Sequence, residues 1–289
     1  MGFNDEIKIP MNLDALKEKI LSDLNFSTAD INCIFDNFSL VPRDVWEKPP
    51  DGFKDSDIMP WRFNRRLSYL RRPLVVSVKS DGGKVVFWGP RHTTEALKQL
   101  IYQIETGRFV SKSNQSRMSS LTGKIVDEAG SIFTNLVKKY LDSHQFLKVE
   151  KEIDIGPSGP LYFEKILGDI DVLAVDPERH LIFLLECKNI HPSRNPHEIY
   201  QEIERFYIKD GNKESWIDKH MKRTEWVLSN MSSVLKLLKL DVTEYDVCSM
   251  FITSIEIPSI YFRDTPLPFI PYSSLLRNGL SALDSKYEQ

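Results

Sequence analysis

Two consecutive apolar segments in the second half of the chain each carry charged residues at one end. The segment 166–176 contains two aspartates near its start, and the segment 181–188 ends in Glu-Cys-Lys. The residues that join them include Pro177, and proline fits the second position of a type I turn. This pattern predicts an antiparallel β-hairpin whose charged ends lie together.

Side chains alternate across a strand, so Asp169 and Asp171 share one face of the hairpin, and Glu186 and Lys188 share one face. A two-residue loop would place Asp169 opposite Glu186, and a four-residue loop would place Asp171 there. In either register two carboxylates face each other, with Cβ atoms about 4.5–5.5 Å apart, and they repel unless a cation intervenes. Magnesium prefers such oxygen ligands. The hairpin therefore predicts a site for magnesium, or for manganese in its place.

A plainer interpretation is that these residues form a solvated strand end. Glu186 and Lys188 would then be an ion pair worth about 0–1 kcal/mol, and the aspartates would cap a turn. The adjoining runs 172–175 and 181–185 argue against this, because they are apolar on both faces, as in a central strand covered on both sides. We therefore expect the charges to lie at the ends of buried strands.

The motif Gly168-Asp169-Ile170-Asp171 followed by Glu186-Cys187-Lys188 resembles the PD-(D/E)xK nuclease superfamily. The resemblance covers residues 116–289. It implies an α/β fold with a restriction endonuclease-like mixed-sheet core flanked by helices. It also implies a magnesium-dependent deoxyribonuclease, an endonuclease of a restriction, phage-defence or repair system.

The same resemblance assigns roles to individual residues. Asp171 and Glu186 bind the metal together with the backbone carbonyl of Cys187, and Lys188 orients the attacking water. The family commonly adds an acidic residue from a preceding helix, and Glu128 is the candidate, so the catalytic set is Asp171, Glu186, Lys188 and Glu128. The helix is predicted at 121–141 from an apolar stripe that Glu128 borders. The stripe consists of Ile125, Ala129, Ile132, Phe133, Leu136, Val137 and Tyr140.

Charge is unevenly distributed along the chain. The formal net charge is −3, yet the segment 61–124 holds thirteen basic and three acidic residues. Such a segment can neutralise nucleic-acid phosphates, and DNA is the preferred partner. Its densest part carries five arginines among aromatic residues, which predicts nucleic-acid binding. Two alternatives stay open: a solvated basic helix, or arginines paired with the acidic C-terminal part. The arginines are Arg62, Arg65, Arg66, Arg71 and Arg72.

Two domains are expected, with a polar linker at 111–120. Residues 1–115 form a smaller α+β domain of unknown role, with nucleic-acid binding and sensing as candidates. Its helices are capped by Asn12 and by Ser27 with Asp30, and a hairpin joins strands 74–79 and 84–88. A further helix opens at Thr93 or Thr94.

Residues 116–289 hold the nuclease-like domain. After the charged hairpin, helices are predicted at 196–207, 216–240 and 273–283, and strands at 245–253 and 269–272. One charged helix face is interpreted as solvated, with substrate contact as the alternative. It carries Lys209, Lys213, Lys219, His220, Lys222 and Arg223.

Several classes of protein are not expected. The three cysteines are far apart and odd in number, which favours buried free thiols over disulfides or a zinc site. No apolar run approaches the roughly 18–20 residues of a membrane span, and the start of the chain lacks a signal-peptide pattern. A cytoplasmic location without membrane contact is expected, with a homo-oligomer or partner subunits as options. The alternative function is a non-catalytic nucleic-acid-binding or sensing module on a nuclease-like fold.

Overall fold

The computed structural model describes residues 10–60, 62, 65–109, 117–144, 147–193, 195–208, 214–240 and 244–284. The chain divides into two compact units, Met1–Thr122 and Gly123–Gln289. The described residues form eight α-helices and two mixed β-sheets. The fold is therefore mixed α/β, in agreement with the expected class. Residues 111–116 of the predicted linker lie outside the described residues.

The first unit contains a four-stranded sheet and three helices. Its strands follow the spatial order β1-β4-β3-β2, in which β2 and β3 are parallel and the other neighbours are antiparallel. The elements are β1 (Met11–Asn12), α1 (Leu13–Asp23), α2 (Thr28–Phe38), β2 (Ser39–Leu40), β3 (Leu74–Val78), β4 (Lys84–Phe87) and α3 (Pro90–Glu105).

Local sequence signals explain the helix ends in this unit. The Asn12 side chain accepts hydrogen bonds from the backbone of Asp14 and Ala15, and Ser27 forms a capping box with Asp30. Both predicted caps and the 74–88 hairpin are confirmed. The predicted start of α3 at Thr93 or Thr94 was wrong, because the helix begins at Pro90. Proline is tolerated in the first turn, since an N–H there has no hydrogen-bond partner within the helix.

The second unit contains a six-stranded sheet in the order β10-β9-β8-β7-β5-β6. Strands β7 and β8 pair antiparallel at its centre, and β9 and β10 continue parallel to β8. The elements are α4 (Arg117–Asp142), whose residues up to Thr122 fall in the first unit, β5 (Lys148–Gly156), β6 (Leu161–Tyr162), β7 (Gly168–Asp176), β8 (Leu181–Lys188), α5 (Pro196–Tyr207), α6 (Trp216–Ser229), α7 (Met231–Leu237), β9 (Asp246–Thr253), β10 (Phe269–Pro271) and α8 (Tyr272–Asn278).

Helices cover both faces of this sheet. Phe133 and Val137 of α4 pack in one core with the β7 and β8 side chains of one face, and Trp226 of α6 and Val234 of α7 pack in a second core on the other. The two central strands are thus buried on both sides, as their apolar runs predicted. None of the described helices combines the length and the apolarity needed to cross a membrane.

Candidate active site

The hairpin register places Asp171 opposite Glu186. Cα pairing runs from Asp176 with Leu181 at the turn to Val172 with Leu185, so the loop has four residues and the next positions are Asp171 and Glu186. At that point the ladder ends. The backbone N–H of Cys187 donates to Oδ2 of Asp171 at 2.7 Å. The four-residue alternative is therefore the correct one, and Asp171 is held across from Glu186.

Strand alternation is interrupted beside Asp171. Ile170 packs in the same core cluster as Leu173, although strict alternation would put them on opposite faces. On the neighbouring strand β5, Glu152 has φ +52°, a left-handed conformation that is rare for residues other than glycine, asparagine and aspartate. Asp169, expected on the same face as Leu173, is exposed. The break separates the two aspartates, and only Asp171 enters the site.

Lys188 contacts both carboxylates. Its Nζ lies 2.7 Å from Oε1 of Glu186 and 3.6 Å from Oδ2 of Asp171, and 5.4 Å from the centre of the Trp216 ring. Burial lowers the pKa of Lys188, but the two carboxylates outweigh it and hold the pKa above its ordinary value. Lys188 is therefore a cation at neutral pH and can donate hydrogen bonds or stabilise negative charge.

Two residues of α6 complete the surroundings of Glu186. The Arg223 guanidinium lies 2.9 Å from Oε2 of Glu186 and also donates to the backbone carbonyl of Asp169. Nδ1 of His220 is 3.6 Å from Oε2, and its other ring nitrogen bonds the Ser249 hydroxyl at 2.9 Å. Burial lowers the pKa of His220 to about 4 despite the adjacent carboxylate, so the ring is neutral at neutral pH.

The interpretation of this helix face as solvated was wrong for His220 and Arg223, which are 1% and 6% exposed. The helical spacing of these two residues could have predicted their burial. Both residues are in phase with the buried Trp226 and Val227, at intervals of three, four, six or seven residues. Lys219 and Lys222 are exposed as expected, and Lys209 and Lys213 lie outside the described residues.

The two acids of the site differ in ionisation. Burial raises the pKa of Asp171 to about 6, with repulsion from Glu186 as the second cause. Burial also raises the pKa of Glu186, but Lys188, Arg223 and His220 lower it more, so the net shift is downward. The charge of Glu186 is thus well compensated, whereas the neighbouring cations compensate the charge of Asp171 only in part.

Asp171 and Glu186 carry oxygen atoms of the kind that a hard divalent cation prefers. Oδ1 of Asp171 and Oε2 of Glu186 make no hydrogen bond with the described residues, although Oε2 is ion-paired with Arg223. Magnesium and manganese accept two carboxylates and complete their coordination with water or substrate oxygens. Within the described ranges no group of three or more His, Cys, Asp or Glu side chains could hold a metal. Two carboxylates therefore constitute the side-chain ligands on offer there.

Glu128 does not join this cluster. It is exposed on α4, and the Ile132 and Leu136 side chains of the predicted stripe are 56% and 47% exposed. The stripe is wider than the face that the sheet covers, so the buried line runs through Phe133 and Val137. One α4 residue does lie near the site: the carbonyl of Ala129 accepts from the side chain of Asn189 at 3.3 Å.

The five predicted nucleic-acid-binding arginines do not form a solvated strip. Arg72 is 8% exposed and donates to the carbonyls of Asp36 and Ser39, both at 2.8 Å. Three others also have partners in the first unit, and Arg62 is exposed. Arg66 lies 3.6 Å from Asp57, Arg71 donates to Gln103 at 2.7 Å, and Arg65 donates to the carbonyl of Pro60 at 2.6 Å.

Local interactions explain this arrangement. The segment from Arg65 to Arg72 forms bends and turns instead of a helix, and the Arg66 and Arg72 guanidinium groups stack over the ring of Phe53. The neighbouring aromatic residues Trp61 and Phe63 lie outside the described residues. Most of these arginines are therefore engaged within the first unit, and Arg62 is the most exposed of the five.

All three cysteines are free thiols, as expected. Cys187 is buried, Cys248 is partly buried, and Cys33 is exposed. The expectation of a buried thiol was wrong for Cys33, because the helix α2 buries Ile31 and Phe35 in the core and leaves Cys33 exposed.

The structure so far defines a mixed α/β protein with an acid and lysine cluster at the end of a buried hairpin. A family model described as anti-phage protein Upx-like matches residues 13–267. The match spans most of both units, and the chain belongs to this family of anti-phage proteins. No curated protein and no solved structure matches the chain.

Proposed function

We propose that the protein is a magnesium-dependent nuclease of phage defence that hydrolyses phosphodiester bonds in DNA. The observation that carries the proposal is the convergence of Asp171, Glu186 and Lys188 at the ends of two paired, buried strands. This arrangement supports a restriction endonuclease-like core of the PD-(D/E)xK type, since the spacing and the strand positions agree with that pattern. Membership in an anti-phage family supports the biological setting.

The residues that would hold magnesium are Asp171 and Glu186, with the backbone carbonyl of Cys187. When bound, the ion supplies Lewis-acid stabilisation of charge on the scissile phosphate. The Asp171 side chain is 18% exposed, so a phosphate could reach it from solvent. Glu128 is not part of this proposed ligand set in the described conformation, because it stands apart from the two acids.

Lys188 orients the attacking water and stabilises the charge that develops on phosphate. Its raised pKa keeps the proton on Nζ at neutral pH, so the side chain donates hydrogen bonds and does not act as a general base. Arg223 and His220 position Glu186 from the side opposite Lys188. With Oε2 held there, Oε1 stays directed toward Lys188.

The test is cleavage of plasmid DNA, linear DNA, single-stranded DNA and RNA, each with magnesium or with EDTA. We expect magnesium-dependent cleavage of DNA that falls at least about 10²-fold in Asp171→Asn, Glu186→Gln and Lys188→Ala. Asp169→Asn is the matched control, because this exposed carboxylate lies two residues from Asp171. Full activity in the three site variants, or equal loss in the control, would contradict the assignment.

A second function is favoured by one specific observation. Lys188 and Arg223 already neutralise Glu186 from both sides, so the protein can keep Glu186 buried and ionised without a metal. The fold could then serve as a non-catalytic nucleic-acid-binding module. In that case DNA binding, measured by fluorescence anisotropy, would persist in EDTA, and no cleavage would occur with magnesium or manganese.

A further inference from the structure

The first unit contains a cavity of about 450 Å³ that is separate from the acid and lysine cluster. Its wall is mainly apolar, with Leu100 of α3 and Phe38 of α2 among the lining residues. Three guanidinium groups and one buried carboxamide interrupt this apolar wall. They belong to Arg66, Arg71, Arg72 and Gln103.

The arginine side chains are fixed in place before any ligand arrives. Arg72 is anchored by the carbonyls of Asp36 and Ser39, and Arg66 by Asp57. Burial lowers the pKa of Arg71 and Arg72, and the nearby charge of Arg66 lowers it further. An anion in the cavity would offset both the lost hydration and the crowding of these cations.

Gln103 supplies an independent sign of a ligand. It is 4% exposed, and its Oε1 accepts from Arg71 at 2.7 Å, which fixes the orientation of the amide. Its Nε2 is buried and makes no hydrogen bond with the described residues. A buried donor that is left unsatisfied destabilises the folded chain, so an acceptor from a bound molecule would stabilise the unit.

We propose that this cavity binds a nucleotide. The phosphate lies against the arginines, which match its oxygens in bidentate geometry, and the base packs on the apolar wall. An acceptor atom of the base or ribose faces Nε2 of Gln103. The cavity volume lies within the range of about 300–1,000 Å³ that small-molecule sites occupy. The proposal is independent of the nuclease assignment, because no residue of that site lines the cavity.

The test is calorimetric titration of the full chain with adenosine and guanosine 5′-monophosphate, with inorganic phosphate and adenosine as partial ligands. We expect saturable binding of at least one nucleotide, and at least about tenfold weaker binding of phosphate and adenosine, because each lacks half of the contacts. Arg71→Gln should weaken nucleotide binding at least about tenfold. Arg91→Gln is the matched control: it removes an exposed arginine of the same unit that does not line the cavity, and it should bind as the wild type does.

A second pair of variants keeps the proposal testable if Arg71→Gln fails to fold. Leu100→Trp fills the cavity and should abolish binding, whereas Leu97→Trp on the outer side of α3, where Leu97 is 46% exposed, should not. Bound nucleotide should also slow thiol labelling of Cys33, which lines the cavity. Absence of binding by both nucleotides at millimolar concentration, or unchanged affinity in a folded Leu100→Trp, would overturn the proposal, as would equal binding of adenosine and its monophosphate.

Discussion

Asp171 is held where its own charge is unfavourable. Burial and the facing Glu186 raise its pKa to about 6, while Lys188 and the N–H of Cys187 only partly offset these effects. Functional sites often hold a titratable side chain in an environment that disfavours its charged form. The protein is then less stable, but the charge stays available for binding or catalysis. The proposed nuclease role explains this unfavourable ionisation, since a bound cation would offset the charge of Asp171.

Asp171→Asn should therefore stabilise the protein while it abolishes cleavage. Below the ordinary pKa of 3.8 the carboxyl is protonated in both folded and unfolded chains, and above about 6 it is ionised in both, so the penalty is complete at pH 8. We expect a gain of about 1–3 kcal/mol in the free energy of unfolding at pH 8 and a gain below about 1 kcal/mol at pH 4. Urea denaturation at both pH values measures it, and a loss of stability at pH 8 would contradict the raised pKa.

Arg223 is the residue on which the burial of Glu186 depends most directly. Arg223→Ala removes the cation 2.9 Å from Oε2, and we expect a loss of about 3–5 kcal/mol in the free energy of unfolding, as for other broken buried ion pairs. The matched control, Lys222→Ala, changes an adjacent exposed residue and should cost less than about 0.5 kcal/mol.

Adding Glu186→Gln to Arg223→Ala should recover part of the lost stability, because the carboxylate no longer lies uncompensated. Thermal unfolding of the two single variants and the double variant forms a double-mutant cycle. Strict additivity of the two changes would contradict a direct interaction between Arg223 and Glu186.

At the scale of elements, the turn between β7 and β8 sets the register that brings Asp171 to Glu186. Asp176 holds that turn: its carboxylate accepts from the backbone of Glu178 and Arg179, both at 3.1 Å, and from the Arg179 side chain at 2.6 Å. Burial raises the pKa of Asp176, but these donors outweigh it and lower the pKa below 3.8.

Asp176→Asn should cost about 1 kcal/mol at pH 7, because the amide keeps the backbone bonds but loses the ion pair with the partly exposed Arg179. Since the pKa of Asp176 is lowered on folding, its contribution is complete above the ordinary value of 3.8 and declines as pH falls below it. Urea denaturation should show the difference at pH 7 and a smaller one at pH 3. A difference that grows in acid would be inconsistent with this sign.

Several elements could be predicted because their signals are local. Helix α5 begins at Pro196 and ends at Tyr207 as expected, and the caps of α1 and α2 depend on side chains within three residues. The helix predicted at 216–240 divides at Asn230, and β5 was not predicted. The segment from Lys148 to Asp154 is rich in charged residues, which is not typical of a strand. It is extended because it pairs with β7, a contact that the local sequence does not predict.

The candidate site, too, could be predicted only where its signals are local. Spacing along one hairpin was enough to expect an aspartate beside Glu186 and Lys188, because strand pairing converts sequence distance into register. It left Asp169 and Asp171 as alternatives, the family resemblance chose Asp171, and the register of the hairpin agrees with that choice. Arg223 contacts Glu186 from a helix packed on the sheet, and the sequence of the hairpin alone cannot predict that contact. The position of Glu128 depended on which side of a broadly apolar helix the sheet covers, which the stripe alone did not determine.

For the whole molecule, the proposed cation should couple to stability. A ligand that binds only the folded state stabilises it by RT ln(1 + [L]/Kd), about 1.4 kcal/mol at ten times Kd. Magnesium should therefore raise the melting temperature of the wild type at pH 8 and leave that of Asp171→Asn unchanged. Differential scanning calorimetry with magnesium and with EDTA measures this, with Asp169→Asn as the control that keeps the rise. An equal rise in Asp171→Asn would place magnesium elsewhere.

Cys187 lies between the two charged residues of the site, yet its side chain points the other way, into the core beside Val172 and Leu185. Burial raises the pKa of its thiol well above the ordinary value, and the thiolate that oxidants attack is therefore scarce. Peroxide at neutral pH should therefore leave this centre chemically intact, even though the residue between its two charged side chains carries a sulfur atom.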